Sequence, residues 1–289
     1  MKIAIASGKG GTGKTTIAVN LFYFLSQKTG DKVQLIDCDV EEPNDLLFFK
    51  SARKKHSQEV FTLVPKIDTD KCTYCKKCSE WCEFNAITIV KNLVFTDVSN
   101  DLCHSCGACS VACGFGAIAE HPRPLGVISE YSIEFGARVI EGRLEIGSAL
   151  QTSLIKKVKK YAEQAEWISL FDAPPGTSCP VVETVSDADY IILVTEPTPF
   201  GLYDLQLTIE LIRELKIPFG VIVNKAGLGS KLIYKYLEEN NIELIGNIPF
   251  SKAYASRYSK GELLQNLPEE MAGYYEQTVE KILSITKVK

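Results

Sequence analysis

Short runs of apolar and β-branched residues recur towards both ends of the chain, separated by segments in which apolar residues repeat with helical spacing. The runs are typical of strands buried on both faces and predict strands at 2–7, 33–38, 168–172, 190–195, 219–223 and 242–248. The segments between them predict helices at 14–28, 153–165, 201–215, 229–239 and 268–285. This alternation predicts an α/β fold, with a mainly parallel sheet flanked by helices.

The middle of the chain does not follow this pattern, and from about 59 to 124 no long helix is predicted. Within it, CTYCKKCSEWCEFNAI at 72–87 aligns with CHSCGACSVACGFGAI at 103–118, with a constant offset of 31 residues. An internal repeat indicates a duplicated structural unit. We therefore expect a small α+β domain at 59–124, inserted into an outer domain formed by 1–58 and 125–289.

Eight of the ten cysteines lie in this repeat, and each half has the spacing C-x₂-C-x₂-C-x₃-C. This is the run of bacterial two-cluster ferredoxins, in which three cysteines hold one 4Fe–4S cluster and the fourth ligates the other. By that crossing rule, the first cluster is predicted on Cys72, Cys75, Cys78 and Cys113. The second is predicted on Cys82, Cys103, Cys106 and Cys109.

These cysteines have two alternative uses, in disulfides or as zinc ligands. Disulfides are rare in cytosolic proteins, so a dense cysteine cluster there indicates a metal. Zinc is the rival metal, but structural zinc sites favour two separated C-x₂-C pairs over runs of four cysteines. Outside the repeat, Cys38 lies in an apolar strand and is predicted to be a core thiol, and Cys179 a buried or interface thiol.

The stretch SGKGGTGKTT at 7–16 satisfies the P-loop pattern G-x-x-x-x-G-K-[ST]. In such a loop the backbone N–H groups cradle phosphates, the lysine reaches the β- and γ-phosphates, and the hydroxyl binds Mg²⁺. ATP and Mg²⁺ are therefore the predicted ligands, with Lys14 on the phosphates and Thr15 on the metal. The predicted contacts of the loop are Gly8, Lys9, Gly10, Gly11, Thr12, Gly13, Lys14, Thr15 and Thr16.

An additional lysine, Lys9, makes this loop resemble the deviant Walker A loop of the MinD/ParA/Mrp group of P-loop ATPases, and more distantly that of the nitrogenase iron protein. Three further segments resemble the same group: IDCDVEEPN at 36–44, FDAPPGTS at 171–178 and VIVNK at 221–225. Together with the cysteine repeat, these motifs cover nearly the whole chain. The resemblance implies a P-loop NTPase fold interrupted by the double-cluster insert.

The resemblance also implies roles for single residues. Lys9 would reach the phosphates of a partner subunit, and such a cation makes hydrolysis depend on assembly. Asp39 would orient the attacking water, and Asp172 would hold Mg²⁺ through water. With Lys14, these are the predicted catalytic residues. The alternatives are a solvated loop lysine at Lys9 and a strand-end capping acid at Asp172.

Three further positions complete the predicted site. In the resemblance, the N–H of Gly176 senses the γ-phosphate and the side chain of Asn224 reads the adenine. Asp37, the first acid of the D-x-D pair, is predicted to have a structural use at the end of its strand.

Composition limits the partners. A formal charge of −4 and a pI near 5.6 offer no basic stripe for nucleic acid. The N-terminus lacks the apolar region of a signal peptide, and no apolar run reaches transmembrane length. We expect a cytoplasmic protein without stable membrane insertion.

The combined features favour an ATPase that couples nucleotide-dependent changes of a homodimer to electron transfer through two 4Fe–4S clusters. Its partner would be a redox or iron–sulfur acceptor protein. One alternative is an iron–sulfur cluster carrier or assembly factor. A second alternative is a positioning ATPase in which the clusters are structural.

Overall fold

The computed structural model describes residues 1–29, 32–164, 166–262, 264 and 267–286. The chain divides into two units. The first is formed by Met1–Ser57, Ile128–Arg143 and Ile155–Lys289, and the second by Gln58–Val127 and Leu144–Leu154. The predicted insert falls within the second unit, to which the structure adds Leu144–Leu154.

Strands and helices follow one another in the order expected of an α/β chain. The strands are β1 (Lys2–Ala6), β2 (Val33–Asp37), β3 (Arg53–Ile67), β4 (Ile87–Val90), β5 (Phe95–Val98), β6 (Ile118–Ser132), β7 (Arg138–Leu144), β8 (Ile168–Asp172), β9 (Tyr190–Thr195), β10 (Phe219–Ala226) and β11 (Leu244–Pro249). The helices are α1 (Lys14–Thr29), α2 (Lys77–Glu80), α3 (Ala108–Ala112), α4 (Gln151–Ala162), α5 (Cys179–Val185), α6 (Pro199–Leu215), α7 (Leu232–Glu239), α8 (Lys252–Tyr258) and α9 (Glu269–Thr286).

The main sheet has nine strands in the order β11-β10-β9-β1-β8-β2-β7-β6-β3. Pairing is parallel from β11 through β10, β9, β1, β8 and β2 to β7. This confirms the predicted α/β fold with a mainly parallel sheet. The strands β1 and β8 are parallel neighbours, so their carboxyl ends lie at the same edge of the sheet. The loops after Ala6 and Asp172 begin at this edge.

The core of the first unit lies between this sheet and its helices. Ile3 and Ile5 of β1 are fully buried, as are Ile17 and Leu21 of α1. On α9, Tyr275 is fully buried and stacks on Phe24 with ring centroids 5.9 Å apart. Strands buried on both faces explain why the sequence shows continuous apolar runs instead of alternation.

The boundaries differ from the prediction in several places. Helix α7 begins at Leu232 instead of 229, and the predicted helix 153–165 is observed as α4, with Ala165 outside the described residues. Strands β3, β6 and β7 and helices α5 and α8 were not predicted. Strand β3 was not predicted because most of its first eight residues are exposed and show no apolar pattern.

The second unit has its own two-stranded antiparallel sheet, in which Ile87 pairs with Val98 and Val90 with Phe95. Its helices α2 and α3 have only four and five residues, so the absence of a long helix between 59 and 124 is confirmed for the described residues. The repeat is also visible in the backbone. Positive φ values occur at matched positions 31 residues apart, in the pairs Tyr74 and Ser105, Lys76 and Gly107, and Asn85 and Gly116.

None of the helices in the described part of the chain combines the length and the apolar character needed to cross a membrane.

Truncation of a buried side chain in β8 should destabilise the first unit. Leu170 on β8 is fully buried, so Leu170→Ala should lower the free energy of unfolding by about 2–5 kcal/mol. Leu232→Ala is the matched control, because that side chain is 54% exposed and its loss should change stability by about 0.5 kcal/mol or less. Urea unfolding of both variants measures the difference. Equal effects would contradict the assignment of β8 to the core.

Candidate functional site

The loop between β1 and α1 lines a cavity of about 510 Å³, a volume typical of small-molecule sites. Gly11 and Gly13 have φ values of 81° and 87°, a left-handed conformation that glycine adopts without strain. Gly8 is needed for a different reason, since a Cβ there would lie 2.5 Å from the carbonyl oxygen of Asp204 on α6. The glycines of the loop therefore fit its path.

Most of the predicted nucleotide-binding residues line this cavity, and Asp39 of the predicted catalytic set lines it too. Gly8, Asp172 and Gly176 do not belong to the lining formed by the described residues. The lining residues from the prediction are Lys9, Gly10, Gly11, Thr12, Gly13, Lys14, Thr15, Thr16 and Asn224.

A buried ion pair joins the loop to the end of β8. Lys14 Nζ lies 2.7 Å from Asp172 Oδ1, and Thr15 Oγ1 donates a hydrogen bond of 2.9 Å to Asp172 Oδ2. Burial lowers the pKa of Lys14, but the adjacent Asp172 carboxylate outweighs burial and raises the pKa. The structure thus brings together the three residues predicted to bind phosphate and Mg²⁺, with the lysine turned to the acid.

The acids that follow β2 have different surroundings. Asp37 is buried and accepts hydrogen bonds from the backbone N–H groups of Asp39, Asn44 and Asp45, which agrees with its predicted structural use. Burial, followed by the charge of Asp172, raises the pKa of Asp37 to about 7. Asp39 is half-buried at the cavity, and burial also raises its pKa. Asp45 was not identified from the sequence, although it is fully buried beside this group.

Lys9 is held within its own chain. Its Nζ lies 2.9 Å from Glu196 Oε1 and 4.0 Å from Asp204 Oδ2. Glu196 also pairs with Lys225 at 2.9 Å, and Lys225 Nζ donates to the Gly11 carbonyl. Glu196 lies in TEPTPFG at 195–201, a segment for which no role is predicted. The role of Lys9 towards a partner subunit stays a prediction.

Gly176 and Asn224 also bind the loop itself. The Gly176 N–H donates to the Ser7 carbonyl at 2.9 Å, and Asn224 Nδ2 donates to the Thr12 carbonyl at 2.8 Å. Asn224 packs closely on Gly13, where an added Cβ would lie 2.2 Å from Nδ2. In this arrangement both groups support the loop, and their contacts to the γ-phosphate and adenine remain predictions.

Part of the cavity lining is aromatic and was not predicted. Phe250, Tyr254 and Tyr258 line it, from the end of β11 to α8. Tyr254 is fixed by a hydrogen bond of 2.8 Å between its hydroxyl and that of Tyr275 on α9. No sequence motif marks these residues, because tertiary packing alone brings α8 to the loop.

In the second unit, the eight repeat cysteines divide between two separate cavities. One is lined by Cys72, Cys75, Cys78 and Cys113. The other is lined by Cys82, Cys103, Cys106 and Cys109. These are the two sets that the crossing rule groups together, so each cavity receives three cysteines from one half of the repeat and one from the other.

Backbone donors face the sulfur atoms of the crossing cysteines. The N–H of Ala86 donates to Cys82 Sγ and that of Ala117 to Cys113 Sγ, both at 3.3 Å and again 31 residues apart. Donors of this kind stabilise thiolate, the form of cysteine that binds metals. At the exposed Cys75, the backbone N–H of Lys77 lowers the pKa of the thiol.

The donor set can be tested against zinc and against a cluster. All ten cysteines are free, and among the described residues no three His, Cys, Asp or Glu side chains converge on a point that could hold one metal ion. Structural zinc sites use separated C-x₂-C pairs, which the two runs of four cysteines do not match. Four cysteines around one cavity equal the number of thiolates that a 4Fe–4S cluster takes, and the two clusters stay a prediction.

The two remaining cysteines lie in the first unit. Cys38 is fully buried, as predicted for a core thiol, and burial raises its pKa far above the ordinary value. Cys179 begins α5 and is exposed. Of the two predicted alternatives, a buried thiol is therefore wrong, because the first turn of α5 leaves this side chain on the surface, and an interface thiol stays a prediction.

The sequence of this chain matches a known family model and several known proteins. A family model described as the CobQ/CobB/MinD/ParA nucleotide binding domain matches residues 3–264. The uncharacterized protein MJ0579 of Methanocaldococcus jannaschii is 32% identical over 284 residues, which cover 95% of this chain and 97% of that protein. The iron-sulfur cluster carrier protein of Aquifex aeolicus is 22% identical, with 99% of this chain and 66% of that protein covered.

Solved structures agree on the fold. The cell division ATPase MinD of Pyrococcus furiosus superposes with a TM-score of 0.61 at 19% identity, with 98% of each chain covered. This likeness confirms the predicted P-loop NTPase fold. Since the family model spans nearly the whole chain and the P-loop cavity carries its motif, this protein belongs to the CobQ/CobB/MinD/ParA family of nucleotide-binding proteins.

Proposed function

We propose that this protein hydrolyses ATP and couples nucleotide-dependent changes of a homodimer to electron transfer through two 4Fe–4S clusters. The observation that carries the proposal is the division of eight cysteines into two cavities of four. Their occurrence in one chain with a P-loop cavity supports the link between nucleotide and clusters.

The cysteines of each cavity would hold one cluster, with the backbone N–H groups of Ala86 and Ala117 donating to ligand sulfurs. When bound, each cluster supplies one-electron transfer, taking an electron from a reduced donor protein and passing it to an acceptor protein. Donors to the sulfurs stabilise negative charge at the site and thereby favour the reduced state.

ATP would displace two acids from the lysines of the loop. Lys14 would leave Asp172 for the β- and γ-phosphates, and Thr15 and Asp172 would then be free to hold Mg²⁺ directly and through water. Lys9 would leave Glu196 to reach the partner subunit. Asp39, at the cavity wall, would orient the attacking water. Mg²⁺ would supply charge neutralisation on the phosphates.

A cluster carrier is the second candidate, because relatives from Aquifex aeolicus, Methanocaldococcus jannaschii and Pyrococcus abyssi are named iron-sulfur cluster carrier proteins. The cavities argue for retained clusters instead. Each offers four cysteines, which is the full complement of a 4Fe–4S cluster. A carrier has to release its cargo, and a complete ligand set makes release harder.

Iron content tests the two cavities. Anaerobically purified protein should contain about eight irons per chain and show broad visible absorption that bleaches on reduction. Cys75→Ser and the matched Cys106→Ser should each lose about half of the iron, since each removes one ligand of one cavity. Cys179→Ser, outside both cavities, should keep it all. Stoichiometric zinc without iron after anaerobic reconstitution would overturn the assignment.

Substitutions of the two lysines should distinguish nucleotide binding from assembly of the dimer. Lys9→Ala should bind MgATP but lose dimerisation and hydrolysis, because Lys14 and the loop N–H groups remain. Lys14→Ala should lose nucleotide affinity itself. Equilibrium binding, sedimentation and phosphate release measure the three properties. A Lys9→Ala protein that hydrolyses ATP at the wild-type rate contradicts the role across the dimer.

Coupling between nucleotide and clusters can be measured in a trapped state. Asp39→Ala should bind ATP, hydrolyse it very slowly and accumulate as the ATP-bound dimer. In that state the cluster potentials, or the rate of acceptor reduction, should differ from those with ADP. By linkage, the ratio of ATP affinities of the oxidised and reduced protein should match the shift in potential.

Identical potentials and rates with ATP, with ADP and without nucleotide would remove the electron-transfer proposal. Cluster transfer to an apoprotein under the same conditions would then favour the carrier.

A further inference from the structure

Ser105 carries a buried hydroxyl at one of the two cysteine cavities of the second unit. Its Oγ atom is shielded from solvent and makes no hydrogen bond with any residue that the structure describes. The residue lines the second cysteine cavity, which is that of Cys82, Cys103, Cys106 and Cys109. Buried polar groups are nearly always hydrogen-bonded, so an unpaired hydroxyl at a cavity indicates that a bound group supplies its partner.

The matched position in the first half of the repeat is Tyr74, which has the same backbone conformation and a different side chain. The φ angle is 55° at Tyr74 and 54° at Ser105, in the left-handed region. Tyr74 packs against the small apolar cluster that includes Ile87 and Ile89. It does not belong to the described lining of the first cysteine cavity, which contains Cys72. The repeat therefore places a hydroxyl from this position at one cavity only.

The chemistry of a cluster explains what such a hydroxyl can bind. In the proposed function, on which this inference rests, the second cavity holds a 4Fe–4S cluster, whose sulfur atoms are hydrogen-bond acceptors. Reduction adds one electron and increases the negative charge on these sulfurs, so a donor stabilises the reduced cluster more than the oxidised one. A serine hydroxyl has one donor proton and can rotate towards such an acceptor.

We infer that the Ser105 hydroxyl donates a hydrogen bond to a sulfur atom of the second cluster and thereby raises the reduction potential of that cluster. The backbone donors at Ala86 and Ala117 are matched between the halves, so each cavity has one of them. Ser105 breaks this match and tunes one cluster separately from the other.

Other groups also differ between the cavities, since Lys77 and Thr73 line the first and Glu120 lines the second. A comparison of the two wild-type potentials would combine all of these contributions. Substitution of Ser105 isolates the contribution of its hydroxyl.

The test measures the potential of the second cluster by itself. Cys75→Ser removes a ligand of the first cavity, and this protein is compared with the same protein carrying Ser105→Ala or Ser105→Gly. Anaerobic redox titration followed by electron paramagnetic resonance gives the potential. The equilibrium constant for reduction should fall by about tenfold in both variants, since one hydrogen bond to a charged acceptor is lost. Tenfold corresponds to about 59 mV for a one-electron couple.

The two substitutions separate the hydroxyl from the backbone. Alanine keeps the cost of a left-handed φ at this position, whereas glycine removes it, and both lose the hydroxyl. Ser79→Ala is the matched control, because the Ser79 hydroxyl donates to the Ile87 carbonyl at 2.7 Å. Its loss should leave the potential unchanged. If Cys75→Ser does not retain the second cluster, the variants are titrated in the wild-type chain, where one of two reduction steps should shift.

An unchanged potential in both Ser105 variants at full iron content would overturn the inference. So would a shift in only one of them, which would show an effect of the backbone, or an equal shift in Ser79→Ala. Wild-type protein that assembles no iron–sulfur cluster after anaerobic reconstitution would instead overturn the proposed function. Iron content therefore distinguishes the two failures.

Discussion

The buried ion pair between Lys14 and Asp172 is the interaction on which the nucleotide site depends. It joins the loop after β1 to the end of β8, two neighbouring strands of the parallel sheet. In the proposed function, phosphate would take this lysine and Mg²⁺ would take this acid. A phosphate group and a divalent cation would then replace both partners together, so that each gains a stronger charge partner. Replacement of one partner alone would leave the other charge buried and unpaired, which is costly.

The same principle extends to Lys9. Glu196 holds this lysine and Lys225 together, and Lys225 in turn holds the Gly11 carbonyl. Both lysines of the loop are therefore neutralised by acids of their own chain. In the proposed function, the cost of separating these pairs would oppose activation without nucleotide. Carboxylates and phosphates would then compete for the same basic groups of the loop.

The local structure of the second unit follows its sequence repeat. Matched φ values, matched N–H donors to sulfur and the exchange of one cysteine between halves all follow the 31-residue offset. Because each cavity takes ligands from both halves, neither half can complete a four-cysteine site alone. In the proposed function, such shared ligation would favour retention of a cluster over its release and would link folding of the unit to metal binding.

The sequence by itself determined the fold class and the nucleotide-binding family, and it predicted the chemistry of both sites. Apolar runs such as YIILVT at 190–195 identify strands because a sheet covered on both faces buries such runs. The P-loop and the cysteine runs are recognisable because their functional groups, backbone N–H groups in one and thiols in the other, follow a fixed local spacing. It did not identify strand β3, whose exposed first half has no apolar period, nor the exposure of Cys179.

Only the tertiary structure decided which distant groups meet. Glu196 reaches Lys9, Tyr254 and Phe250 reach the loop cavity, and Asp45 is enclosed beside Asp172, across separations in sequence that no local pattern encodes. A sequence motif reveals functional groups that lie within one turn or one loop of the chain. The pairing of distant charges and the burial of single side chains depend on how whole strands and helices pack. Here they follow from the sheet, which places β8 beside β1 and β2.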